Sequence, residues 1–474
     1  MRLLTAPPPW LVVVNVMLGT VTVSLNNTAL NPALPTFIEV FDLGPVLATW
    51  ILASFMASMG ITLPLTSYLS QILGRKRLYL GGLALFVAGS LIGTLATGIE
   101  MVLAARVIQG IAGGLMIPLS PAIIFAVFAK EDRGRATGLW GAAVMLAPAV
   151  GPLCGALVLE WYDWRALFLL NVPVALSAFL LGIRVLPKSE PNARKPFDLP
   201  GYLLIAFGIG LLLFVTSRLH RLEALLDPLN LLLLPAALLC LAAFVRRVLR
   251  HPHPLLDLRL FTLRGYRNSV IIAVVQAVGM FQTLLLIPLL IQLVMGHSAI
   301  WTGLALLCTA VCGGLFGQLG GRALDRRGAR EAVSSGVLLT GTATLGLGLL
   351  GTNAPLWTVF ALMMLRGAGL GLSYMPVTTA GLNSLPEAMV TQGAAMNNIS
   401  RRLGASLALV LASLWLEFQL AANGAETTAY ASAIGDILIA TGVLVLLALP
   451  WAWRFPTEET EPVNRPLAEL PVRN

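Results

Sequence analysis

The stretch LWGAAVMLAPAVGPLCGALV, Leu139 to Val158, holds 20 residues without a charge. At 1.5 Å per residue a helix of that length covers about 30 Å, the thickness of a bilayer's hydrocarbon core. Pro148 and Pro152, four apart, each remove a ladder hydrogen bond and bend the helix. Gly151 and Gly155, also four apart, leave room for a neighbouring backbone. A bent, close-packed membrane helix of this kind suits a seam between groups of helices, although plain packing would use the same spacing.

Similar runs recur from Trp10 to the neighbourhood of Trp453. The chain of 474 residues is 57% hydrophobic and 11% charged, where a soluble domain has roughly 25% charged residues. No short alternating strands of the barrel type occur, so the fold class is all-α and polytopic. Fourteen spans are expected, near 10–31, 46–69, 78–97, 101–125, 136–159, 166–186, 199–217, 229–245, 269–294, 300–321, 332–351, 355–380, 402–421 and 431–453. MRLLTAPPPW leads straight into the first span, so no cleavable signal is expected.

The net charge of +9 is a matter of topology rather than of nucleic acid. Assigned by these spans, 21 of the 31 lysines and arginines fall on one side, in clusters such as Arg75 to Arg77, Arg246 to Arg267, Arg322 to Arg330 and Arg401 with Arg402. The opposite connections hold only Arg165, Arg218 and Arg221. The positive-inside rule makes the basic side cytoplasmic, with both termini there. Cys154, Cys240, Cys308 and Cys312 lie in apolar spans without ligand spacing and read as small hydrophobes. HPHP, 251–254, reads as extended linker, so no metal or cofactor is expected.

Polar links at 187–198 and 246–267 bracket a pair of helices, and removing that pair leaves six spans on either side. The division is 1–186, a six-helix bundle; 187–268, a linker with two inserted helices; 269–453, a second bundle; and 454–474, a cytoplasmic tail. An internal echo supports the duplication, since ILGRKR follows the second span and LDRRGAR follows the tenth. Two matched bundles are the plan of many transporters.

Within the spans, Arg106 and Gln109 stand out in RVIQGIAGGLMIP. A midplane arginine costs about 2.5 to 3.5 kcal/mol to insert, so Arg106 needs a cavity, a partner or backbone carbonyls. Gly110 and Gly114 form a pair that lets another helix approach. Arg366 in LRGAGLGLSYMP repeats the Arg106 pattern, with Tyr374 further along. Gln276 shares a face with Met280 and Thr283 in the ninth span. No Asp or Glu falls near the centre of an expected span, and Arg106 and Arg366 are the charges placed within the core, which favours anionic or zwitterionic groups over a bare cation.

With these segments in hand the chain resembles the fourteen-helix drug:proton antiporter branch of the major facilitator superfamily. Gly151, Pro152 and Gly155 match its antiporter motif, and KEDRGRATGLWG, WRALFLLNVPV, FDLPGYLLIAFGIG and PLLIQLVMGHSAIWTGLALL extend the match along nearly the whole chain. The resemblance implies two six-helix bundles, plus two extra helices, rocking about a central cavity. It also implies export of amphipathic, often cationic compounds in exchange for protons, by a monomer in the bacterial inner membrane.

Two departures matter. The family's loop after the second span carries an acid where this chain has Gln71, while Gly74 and Arg75 remain; the later copy keeps Asp325, Arg326 and Gly328. An aspartate there caps a neighbouring helix in one of the two states, so the intact latch is expected on the second half. The second departure is in LNNTALNPALP, 25–35, where Asn26 replaces the family's acid. An amide never titrates, so residue 26 carries no proton. Asn15, Thr22 and Asn26 share one helical stripe and Asn27 and Asn31 the next, which is expected either to line a cavity or to serve as interhelical bonds.

The expected function is therefore export of amphipathic small molecules, with protons as a candidate counter-ion. An uncoupled or otherwise-coupled carrier of lipid-like, anionic or zwitterionic compounds is the alternative, and a non-transporting sensor of the same fold is a third. HExxH, GxSxG and Walker motifs are all missing, which speaks against an enzyme.

Overall fold

The computed structural model describes residues 8–42, 45–188, 196–218, 226–251, 254–352, 354–423 and 427–455. The expected tail beyond 455, the polar link 189–195, Arg221, and Pro252 and His253 of the HPHP segment lie outside them. In chain order the helices are α1 Pro9–Ala29, α2 Leu34–Val40, α3 Pro45–Leu73, α4 Arg75–Thr94, α5 Ile99–Phe125, α6 Arg133–Trp161, α7 Ala166–Leu169 and α8 Val172–Val185. There follow α9 Leu199–Arg218, α10 Pro228–Arg250, α11 Arg264–Leu289, α12 Ala299–Arg327, α13 Ala329–Gly348, α14 Leu356–Asn383, α15 Val390–Asn423, α16 Thr427–Leu447 and α17 Leu449–Trp453. Where a proline withholds its N–H inside a span the ladder adjusts, as in α11, which passes into a π-turn at Leu290–Val294 just after Pro288.

Among the described residues, twelve helices are long and apolar enough to cross a membrane. The fourteen expected spans include two that fall outside this group, α9, whose apolar part is Leu199–Val215, and α13. Hydroxyls lower the hydropathy of α13, but Thr340, Thr342 and Thr344 each bond back to the carbonyl four residues earlier. Their polarity is spent inside the helix, which lets Thr340 and Thr344 be fully buried.

Helices α1, α3 to α6 and α8 form one bundle and α11 to α16 the other, as in a major facilitator fold. The inserted helix α9 packs on both α3 and α15, where the bundles meet. Asp198 fixes the inserted pair by accepting from Gly201 N–H at 3.0 Å and Arg247 Nε at 2.8 Å. At the far end Asp227 caps α10 through Leu229 N–H, and this bond with the Arg218 guanidinium holds its carboxyl below the usual range.

The internal echo is visible in the backbone. Gly74 joins α3 to α4 and Gly328 joins α12 to α13, with φ of 81° and 78° and extended ψ, a region that only glycine enters cheaply.

Two helix starts differ from expectation. Helix α11 begins at Arg264, so Arg264 and Arg267 ride on its first turn. Helix α15 begins at Val390 rather than near 402, which removes Arg401 and Arg402 from the basic loops. Arg402 lies about 18 Å along that helix at 1.5 Å per residue. The segment VTQGAAMNNISRRLG is polar because it is enclosed by other helices, and its residues Thr391, Gln392, Asn397 and Arg401 are buried.

Candidate functional site

The first polar centre lies inside the first bundle. Close packing brings α5 onto α3, where Gly110 and Gly114 meet the backbone oxygens of Phe55 and Met59. That approach places Arg106 for three helices at once. Its Nε donates to the Ile51 carbonyl at 2.9 Å, its Nη1 donates to Asn26 Oδ1 on α1 and to Gln109 Oε1 at 3.1 Å, and its guanidinium lies 4.4 Å from the Phe55 ring centre. Gln109 Nε2 donates onward to Ser90 Oγ on α4 at 2.9 Å. Arg106, Asn26 and Gln109 are all fully buried. Among the described residues Asn26 Nδ2 and Arg106 Nη2 find no acceptor, so the centre is rich in donors and short of negative charge.

Of the two uses expected for the α1 stripe, interhelical bonding is the one visible at Asn15 and Asn26. Asn15 donates to the Ala178 carbonyl of α8 at 2.5 Å, Thr22 bonds back to Leu18, and both are fully buried. Asn27 is half-buried, and Asn31 is exposed in a short turn, Asn31–Ala33, beyond the helix, so neither joins Arg106.

Among the described residues the second bundle has no matching cluster: Arg366 is 2% exposed, and its Nε and Nη2 find no acceptor there. Gln276 donates to Ser373 Oγ at 2.7 Å, and Gln282, which the expected site left out, donates to the Ala408 carbonyl at 3.2 Å and accepts from Thr441. Tyr374 faces a residue that hydropathy had put in a loop: its ring centre lies 4.1 Å from the Arg401 guanidinium. Core charges therefore number four rather than two: Arg106, Arg366, Arg401 and Arg402. Among the described residues none of the four is ion-paired to a carboxylate.

Where the bundles touch, the hydrogen bonds gather at the basic end. Asp325, at the end of α12, accepts from Gly134 N–H and Arg135 N–H, both at 2.7 Å, and so caps α6 from the other bundle. Arg133 donates to Asn383 at 3.2 Å, and the Thr137 and Thr379 hydroxyls are 2.7 Å apart. Arg75 donates to the Glu387 carbonyl at 3.1 Å and lies 3.6 Å from its carboxylate. This α6–α12 seam is glycine-lined, and a Cβ on Gly138 would stand 2.6 Å from the Gly317 oxygen. Gln71 makes no hydrogen bond with the described residues, and Arg326 is exposed, so of the two echoed acid positions only 325 is seen to bond across the seam among the described residues.

The sequence profile described as Major Facilitator Superfamily matches residues 16–409. The chain belongs to that superfamily. It is 30% identical over 468 residues to the uncharacterized MFS-type transporter YcnB of Bacillus subtilis, covering 98% of this chain and 97% of that one. It is 29% identical over 423 residues to the Multidrug resistance protein B homolog of Mycobacterium tuberculosis, covering 88% and 78%. The proton:xylose symporter XylE superposes with a TM-score of 0.65 at 18% identity, over 92% of this chain and 94% of XylE. This is a multi-pass membrane transporter, not an enzyme. The proline and glycine motif of this major facilitator divides α6 into two lengths with different neighbours. Gly134, Gly138 and Gly141 face the second bundle, whereas Gly151 and Gly155, beside Pro148 and Pro152, pack on Thr28 and Ala29 of α1.

Proposed function

We propose that this protein exports amphipathic small molecules by alternating access, acting as a monomer in a bacterial inner membrane with its basic end and both termini in the cytoplasm. The observation that carries this reading is the set of bundle-crossing bonds at the basic end, Asp325 to α6 and Thr137 to Thr379, on a helix whose other length turns away to α1. Such bonds hold one mouth shut and break when the bundles rock. Relatives named for multidrug resistance support amphipaths as cargo.

The driving force lies outside residue 26. Asn26 is locked to Arg106 and cannot bind or release a proton. One charge moved through 100 mV is worth about 2.3 kcal/mol, enough for roughly a fifty-fold gradient, so a charged substrate moves down the potential without proton exchange.

The test is a reversible lock. Cysteines replacing Thr137 and Thr379, joined by oxidation, are expected to stop export from vesicles, and reduction is expected to restore it. Undiminished flux through the cross-linked protein would contradict the reading, and binding without flux in the unlocked protein would favour a sensor.

A further inference from the structure

Resting on the transport reading, we propose that Arg402 reads the head group of the cargo and that the cargo bears an acidic group on an apolar body. Arg402 sits on α15 where it crosses α3, about 18 Å from the helix start. Its side chain crosses from one bundle to the other. There, among the described residues, its hydrogen-bonding partners are both sulfur, Nη1 at 3.6 Å from Met56 Sδ and Nη2 at 3.2 Å from Met59 Sδ, with the Tyr374 side chain near enough to act on its charge. A thioether is a weak acceptor, so these contacts leave the cation's main demand unmet.

The other three core arginines are committed or enclosed. Arg106 is bonded within its own bundle, Arg366 is buried in the second, and Arg401 donates to Thr378 and stacks on Tyr374. Arg402 is half-buried where α15 crosses α3, so part of the residue stays accessible at the seam. Met59 also packs against the Gly113 position of α5, one helical turn from the Phe55 ring that lies against Arg106. Soft, adaptable methionines beside a lone guanidinium match a ligand with an apolar body and a carboxylate, sulfonate or phosphate head.

The experiment uses full-length protein in nanodiscs, with empty discs as control, and three probes that share one body: pyrenebutyrate, its neutral amide, and a trimethylammonium analogue. A charge-assisted bond strengthens binding by about tenfold or more, so the wild type is expected to prefer the carboxylate over the ammonium by at least that factor. R402Q is expected to remove the preference, R402K to keep most of it, and R402E to invert it. A wild type that does not favour the anion, or an R402Q protein that still does, overturns the proposal. Should R402Q fail to fold, the wild type is treated with an arginine-selective dicarbonyl and read by mass spectrometry: pyrenebutyrate is expected to protect Arg402, and modification of Arg402 that pyrenebutyrate leaves unchanged overturns the proposal. Flux of the same probes separates the two readings: selective binding without flux keeps the Arg402 site and removes export, and flux blind to head group keeps export and removes the Arg402 site.

Discussion

Replacing Asp325 with Asn tests the latch most sharply. The carboxylate accepts two backbone N–H bonds at 2.7 Å, at the start of a 29-residue helix in the other bundle. Asparagine has one acceptor oxygen, so one of the two N–H groups loses its bond or faces an NH₂ group. A bond to a charged acceptor is worth about 1.5 to 3 kcal/mol and a neutral one about 0.5 to 1.5, and the charge at a helix N-terminus adds about 0.3 to 1. The net loss is about 2 to 3 kcal/mol, which lowers the ratio of closed to open basic ends by roughly thirty- to a hundred-and-fiftyfold. Spin labels on cysteines at the exposed positions 131 and 322, in a background without native cysteines, report the opening as a second, longer distance. The ratio of that longer distance to the shorter one is expected to rise by the same factor in D325N. An unchanged distance distribution in a folded D325N protein would refute the assignment of Asp325 as the latch.

Removing the weaker pair, E387Q, is expected to change the same equilibrium no more than about fivefold, because half-exposed ion pairs contribute about 1 kcal/mol or less and the Glu387 side chain is 67% exposed; the spin-label distances check it. N26D places a titrating acid beside Arg106, and flux in liposomes is expected to gain a pH dependence that the wild type lacks; identical profiles would separate position 26 from the transport cycle. G155A puts a Cβ onto the Ala29 carbonyl, which is backbone and cannot turn aside, while G151A meets the Thr28 hydroxyl, which can rotate. Thermal unfolding is expected to show the larger loss for G155A, of about 1 to 3 kcal/mol as for other overpacked sites.

Much of the fold was legible because lipid demands long uncharged runs, and because the Gly74 and Gly328 junctions repeat a backbone shape that only glycine takes. The bond from Asp325 to the start of α6 was foreshadowed by the resemblance, whose loop motif keeps its acid at 325 and loses it at 71. Less visible was what protein, rather than lipid, surrounds. Hydropathy reports composition and not the facing neighbour, so the enclosed polar start of α15 passed for a loop and Arg401 and Arg402 were put in water. For the same reason the amides of α1 left a wet wall and interhelical bonds equally open, and only the packed helices show Asn15 bonded to Ala178 and Asn26 to Arg106. Pairings of that kind depend on which helices meet, which periodicity along a single helix does not contain.

The central claim is that transport runs on the charge of the cargo through a core of arginines that, among the described residues, has no carboxylate partner. Proteoliposomes loaded with pyrenebutyrate, with the pH gradient and the membrane potential collapsed separately, test it directly. Collapse of the potential is expected to abolish uphill movement while collapse of the pH gradient leaves it intact; movement that survives loss of the potential and stops with the pH gradient would contradict the account.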